Sequence, residues 1–87
     1  MKLGEAAQQA HELITTDRQD TYASPDVNFG RISDLFFDLS GISLKPKEIA
    51  LLMLAVKLAR NRHKYKEDNI VDAIGYLDIY NTLESNE

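Results

Sequence analysis

The sequence predicts an all-α protein: a bundle of four helices, completed by association with further copies of the same chain. Three observations carry this. Apolar residues recur at three- and four-residue steps in four separate segments. No sustained apolar/polar alternation and no hairpin dipeptide occurs, so nothing reads as a strand. The third segment is apolar on every side, in a chain of 87 residues too short to cover it alone.

The first helix is expected over residues 3–15, where Leu3, Ala6, Ala7, Ala10, Leu13 and Ile14 fall on one narrow stripe. Alanine dominates that stripe, which permits close approach to a neighbouring helix. His11 lies at its border and reads as a structural histidine, since no second histidine has ligand spacing to it. Residues 16–27 break the period with hydroxyl and carboxylate side chains, and "ASPD" is a turn signal. Long connections in small domains are often functional, and this one carries Arg18 and Tyr22, with Asn28 just beyond it.

The second helix is expected over residues 27–40, with Asp26 as its cap and Ser40-Gly41 as its stop. Phe29, Ile32, Leu35, Phe36 and Leu39 form its apolar face, and Phe37 marks a second surface to be covered. The third helix, residues 46–63, opens on Pro46, a favourable first position, with Glu48 in its first turn. Its section 49–56 is apolar all round, and Lys57 and Arg60, one turn apart, end it. The fourth helix, residues 68–83, carries Ile70, Ala73, Ile74, Leu77, Tyr80 and Leu83 on its expected core stripe. Asp68, Asp72, Tyr76 and Tyr80 run along its side at four-residue steps. Gly75 in the helix interior costs about 1 kcal/mol against alanine and implies close contact with a neighbour. Residues 84–87 read as a frayed tail.

Asp72 is the residue out of place, lying between Val71 and Ala73. A carboxylate taken out of water needs a cation, a metal or several donors. Lys57 and Arg60 are the basic pair available to it from the preceding helix, so a buried ion pair is one reading and a polar ligand site the other.

Composition narrows the function classes. A hydrophobic fraction of 44% with 28% charged residues is that of a globular chain rather than a disordered one. A net charge of -4 argues against binding extended nucleic acid, which needs a basic surface. The positive charge is clustered all the same, in Lys57, Arg60, Arg62, His63, Lys64 and Lys66. That cluster reads either as a solvated helix end, suited to the helix dipole, or as a pocket for a small anion. With no cysteine, disulfides, thiolate zinc sites and cysteine nucleophiles are excluded. No segment has the apolar length of a membrane span or the pattern of a secretory signal. The expectation is a cytoplasmic protein without a membrane partner. Neither a nucleophile–base–orienter set nor a glycine-rich phosphate loop is present.

The block "RQDTYASPDVNFGRISDLF" offers Arg18, Tyr22, Pro25, Asn28 and Phe29 in order, and "DNIVDAIGYLDIY" offers Asp68, Asp72 and Tyr76. In this order of features the chain resembles the all-α MazG-like nucleoside triphosphate pyrophosphohydrolases, which carry an arginine, an aromatic, a "P-x-N-L/F" element and a later "E-x-x-D-v-x-x-Y-l". More closely it resembles a family of small uncharacterised phage and prophage proteins with "R-x-x-x-Y-x-x-P-x-x-N-F", "K-x-x-R" and "D-N-x-x-D-x-x-G-Y". Those blocks match Arg18 to Phe29, Lys57 to Arg60 and Asp68 to Tyr76.

The resemblance implies a MazG-like helical bundle and a nucleotide or similar phosphorylated small molecule as ligand. Arg18, Lys57 and Arg60 would take phosphate charge, Asn28 would read a base or sugar edge, and Tyr22 or Tyr76 would stack, with Asp72 in the same site. The pyrophosphohydrolases hold magnesium on a glutamate pair in the helix after the asparagine. Here "FGRISDLFFDLSG" contains only Asp34 and Asp38. Asp34, Asp38, Asp68 and Asp72 are therefore weak metal candidates, and efficient pyrophosphohydrolase activity is not expected; any that remains would be Mg-dependent. The alternative function is a phage interaction protein that binds and modulates a host protein through an acidic helical surface. Asp72 would then pair with Lys57 or Arg60, and Asn28 would cap the second helix.

Overall fold

The computed structural model describes residues 2–17 and 24–85, and within them the chain is helical, with no strand. Helix α1 is Glu5–Glu12 and runs into a π-helical segment, Leu13–Asp17. Helices α2 (Pro25–Ser40), α3 (Pro46–His63) and α4 (Glu67–Ser85) follow. The α-helical part of the first element thus ends before residue 15. The Thr15 hydroxyl donates to the His11 carbonyl at 2.7 Å, competing locally for an acceptor that a regular helix would use through its amides.

Local chemistry sets the other boundaries. Ser24, in extended geometry, is the residue before α2, and Pro25 takes the first turn, so α2 starts earlier than residue 27 and Asp26 is not its cap. Asn28 does not cap it either, since it already lies inside the helix, its backbone N–H donating to the Ser24 carbonyl at 2.9 Å. Asp26 sits in the first turn, where the Ser24 hydroxyl bonds its carboxylate and holds it below the ordinary carboxylate range. Gly41 ends α2 with φ 75°, a left-handed conformation that glycine adopts without a Cβ penalty, and its amide donates to the Phe37 carbonyl at 2.8 Å. The Ser33 hydroxyl donates to the Leu44 carbonyl and ties the α2–α3 connection down. Pro46 opens α3, and the Glu48 carboxylate reaches back to accept from the Lys45 amide at 2.9 Å.

The largest helix–helix interface is between α3 and α4. Only residues 64–66 join them, so they lie antiparallel, and the turn is held by the Lys66 amide donating to Asn61 Oδ1 at 3.1 Å. Two ion pairs mark the register. Lys57 meets Asp72 at 2.9 Å and Lys47 meets Glu84 at 2.9 Å, so a step back along α3 is a step forward along α4. Helix α1 packs on α4, and α2 packs on α3. The buried cluster is small: Phe29, Ile49, Ala50, Ile79 and Leu83, with Ile32, Leu44, Met53, Tyr76 and Tyr80 among its partly buried neighbours.

This arrangement corrects two expectations about which faces are covered. On α4 the buried apolar residues are Val71, Ala73, Ile79 and Leu83, while Leu77 is 51% exposed. The cause is that α4 lies between α1 and α3 and is covered on two sides, so a single stripe misreads it. On α2, Phe29, Ile32 and Phe36 turn inward, whereas Leu35, Phe37 and Leu39 stay exposed, because α2 is packed along one side, chiefly against α3. The all-round apolar α3 is expected to be covered only with further copies of the chain; in the single chain Ile49 and Ala50 are buried, and Leu51, Leu52 and Leu58 face outward.

Gly75 meets the expectation. A Cβ placed there would lie 3.2 Å from Ile14 Cδ1 and 3.8 Å from Ala10 Cβ. Alanine on α1 and glycine on α4 let the two backbones close together.

Candidate functional site

The polar residues of interest gather on α3 and α4 around the Asp72 carboxylate. Asp72 Oδ2 accepts from Lys57 Nζ at 2.9 Å, with the two side chains 15% and 16% exposed. Burial at that level strips most water from both groups, which strengthens their attraction and makes removal of either costly. Periodicity explains the geometry. Lys57 ends the apolar section of α3 on its inner side, and Asp72 lies one turn into α4 from the hairpin. Arg60, the other basic candidate, is exposed and is not Asp72's ion-pair partner.

Tyr76 lies one turn beyond Asp72 on the same side of α4 and is half-buried. Its ring meets Phe29 of α2, centroid to centroid 6.2 Å with planes tilted by 38°, an aromatic contact of ordinary range. Asn28, next to Phe29, is half-buried in the first turn of α2. Lys57, Asp72 and Tyr76 therefore occupy one neighbourhood of α3 and α4, with Phe29 of α2 against the Tyr76 ring, whereas Asn28 is the next residue along α2 and so points to a different side of that helix. A shallow, mostly apolar cleft runs beside it, lined by Ala10, Leu13, Ile14, Asp72, Tyr76 and Ile79. Arg18 and Tyr22 lie outside the described residues.

Asn69 was not singled out from the sequence. It is the buried polar side chain of this region, 8% exposed, three residues before Asp72 and so on its face of α4. In the sequence it reads as a first-turn residue beside Asp68; its place at the tight α3–α4 hairpin is what buries it.

The weak metal candidates do not come together. Asp34 and Asp38 are exposed on α2 and border a separate shallow depression with Ser33, Phe37 and Ser43. Asp68 is exposed at the start of α4, and Asp72 is held by Lys57. Among the described residues no three acidic, histidine or cysteine side chains are placed to share an ion. Those residues do not fit a magnesium site of the pyrophosphohydrolase kind, because the α2 pair and the α4 pair do not converge and Asp72 is already neutralised by Lys57.

Fold and site together define a small all-α protein whose polar centre is an ion pair backed by aromatic rings. The chain belongs to the family described as "Domain of unknown function (DUF6378)", whose model matches residues 5–84. It is similar to the "Gene 55 protein" of Mycobacterium phage L5, with 29% identity over 77 residues, covering 86% of this chain and 49% of the phage protein. The chain thus spans about half the length of that relative. No solved structure gives a significant match. The match to a phage protein agrees with the phage-type resemblance in the sequence. Among the described residues no helix is long and apolar enough to cross a membrane.

Proposed function

We propose that this is a phage-type helical protein that binds a nucleotide or similar phosphorylated small molecule, with a MazG-like arrangement but without efficient pyrophosphohydrolase activity, and that it works as a homo-oligomer in the cytoplasm. The observation that carries the ligand reading is the Lys57–Asp72 pair with Tyr76 one turn on and Phe29 of α2 against its ring. The carboxylate holds the lysine in place, and Arg60, exposed one turn further along α3, supplies charge to an arriving phosphate. Residues 18–23, which carry Arg18 and Tyr22, lead directly into α2 just ahead of Asn28. In this reading those two side chains complete the site.

A thermal-shift series with nucleoside mono-, di- and triphosphates, with and without Mg²⁺, tests it. A ligand at 100 times its dissociation constant adds about 2.7 kcal/mol of stability. The expected result is a phosphate-dependent rise in melting temperature that Arg60→Ala and Arg18→Ala reduce. No shift with any nucleotide at millimolar concentration would overturn the ligand reading. Pyrophosphate release at about 1 per second or faster would overturn the inactive one.

A second reading has its own observation. Asp34 and Asp38 are exposed on α2 beside Leu35 and Leu39, which are 60% and 86% exposed. An acidic helix with outward leucines is the surface expected of a protein that docks on a host protein. Substitutions at Asp34 and Asp38 separate the readings, since they leave the nucleotide response intact and weaken only protein binding.

A further inference from the structure

The outward face of α3 has a pattern that matches itself in reverse. Leu51, Leu52 and Leu58 are 41%, 48% and 48% exposed, and Ala55 and Ala59 lie exposed among them. This is a continuous apolar strip on the side of α3 away from the core. At its ends stand two exposed charges, Glu48 in the first turn and Arg62 in the last. Glu48, Leu52, Ala55, Ala59 and Arg62 follow one another at alternating four- and three-residue steps, the spacing of a seam between two packed helices.

The strip is symmetric about Ala55. Leu51 and Leu58 lie on one flank of the strip at nearly equal distances either side of Ala55, Leu52 and Ala59 likewise on the other flank, and Glu48 and Arg62 each lie seven residues away. In a two-fold interface each residue that contacts another is itself contacted in return. Two α3 helices crossing antiparallel at Ala55 would therefore set Leu51 against Leu58 on one flank, fit Leu52 over the small Ala59 on the other, and bring Glu48 to Arg62 twice. The paired alanines at the centre permit close axes, at the near end of the 8–10 Å range. A parallel pairing would instead place Glu48 on Glu48 and Arg62 on Arg62.

We infer that the exposed face of α3 binds a second copy of this chain, as an antiparallel two-fold pair centred on Ala55 and closed at each end by Glu48 and Arg62. This deepens the self-association part of the proposed function and is independent of the ligand. A seam from Glu48 to Arg62 is about 21 Å long and one helix wide. That is small beside the ~800 Å² per partner of a standard stable interface, so the dimer is concentration-dependent.

Sedimentation velocity from micromolar to hundreds of micromolar tests the inference. Wild type should pass from one chain to two. Glu48→Arg and Arg62→Glu should each stay monomeric over the same range, since each sets like charges together. An equimolar mixture of the two variants should restore the dimer, because every end contact again joins opposite charges. Ala55→Cys adds a thiol to a chain without cysteine and should cross-link to a dimer on oxidation. Glu48 also accepts from the Lys45 amide, so helicity is followed by circular dichroism, and the Ala55→Cys cross-link is independent of that cap.

A wild type that remains monomeric throughout overturns both self-association and this interface. A dimer that survives either charge reversal, or that fails to cross-link through Ala55→Cys, leaves self-association standing and overturns this interface. Monomeric variants whose mixture stays monomeric point to some other occupant of the strip and overturn it as well.

Discussion

Replacing Asp72 by asparagine keeps the shape of the side chain and removes its charge, leaving the Lys57 ammonium facing an amide. At 2.9 Å and an effective dielectric constant near 20, the Coulomb attraction is about 6 kcal/mol. Most of that is offset by the water both groups give up on folding. Exposed pairs contribute about 0.2–1 kcal/mol, and breaking a fully buried pair costs about 3–5 kcal/mol. With 15% and 16% of the side chains exposed, this pair lies nearer the buried limit, and a loss of about 2–3 kcal/mol is expected. For a domain of this size that is a fall of roughly 10–20 °C in melting temperature. Urea denaturation followed by circular dichroism measures it directly. A control separates charge from shape: in a Lys57→Met background the cost of Asp72→Asn should shrink by about 1–2 kcal/mol. A variant that melts at or above wild type, or a cost unchanged by Lys57→Met, would refute the ion-pair reasoning.

Three further outcomes are expected. Gly75→Leu should destabilise by about 1–3 kcal/mol through overpacking against Ile14 and Ala10, with faster amide exchange in α1, whereas Gly75→Ala should be far milder because only the end of the Ile14 side chain must give. Ile49→Ala, at a site 2% exposed, should cost about 2–5 kcal/mol in chemical denaturation. Asp26 should titrate below the ordinary carboxylate value of 3.8, and Ser24→Ala should raise it, as read by carbon-detected NMR. Because the folded-state value is the lowered one, the stabilisation from this contact is present above pH 3.8 and is lost as pH falls through the lowered value.

The features legible in the amino-acid order are local. Pro46 and Glu48 start α3, Ser40 and Gly41 end α2, and the three- and four-residue periods place four helices, because caps, turns and helical spacing act within a few residues. The Lys57–Asp72 pair was legible for a related reason: a carboxylate inside an apolar run has few ways to be satisfied, and a lysine at the end of the preceding apolar section is one of them. Close packing at Gly75 was legible because glycine inside a helix needs a reason. Which faces meet was settled by the packing of the helices. A helix that is apolar all round does not say which side the core takes, and on α3 it took Ile49 and Ala50 and left Leu51, Leu52 and Leu58 outside. Likewise α4 carries its buried residues on two sides because α1 and α3 both lie against it, and a single stripe cannot express that. The choice between Lys57 and Arg60, the separation of Asp34 and Asp38 from Asp72, and the burial of Asn69 all depend on how neighbouring helices are set against one another. That is fixed by side-chain packing over long sequence separations, which periodicity within one segment does not contain.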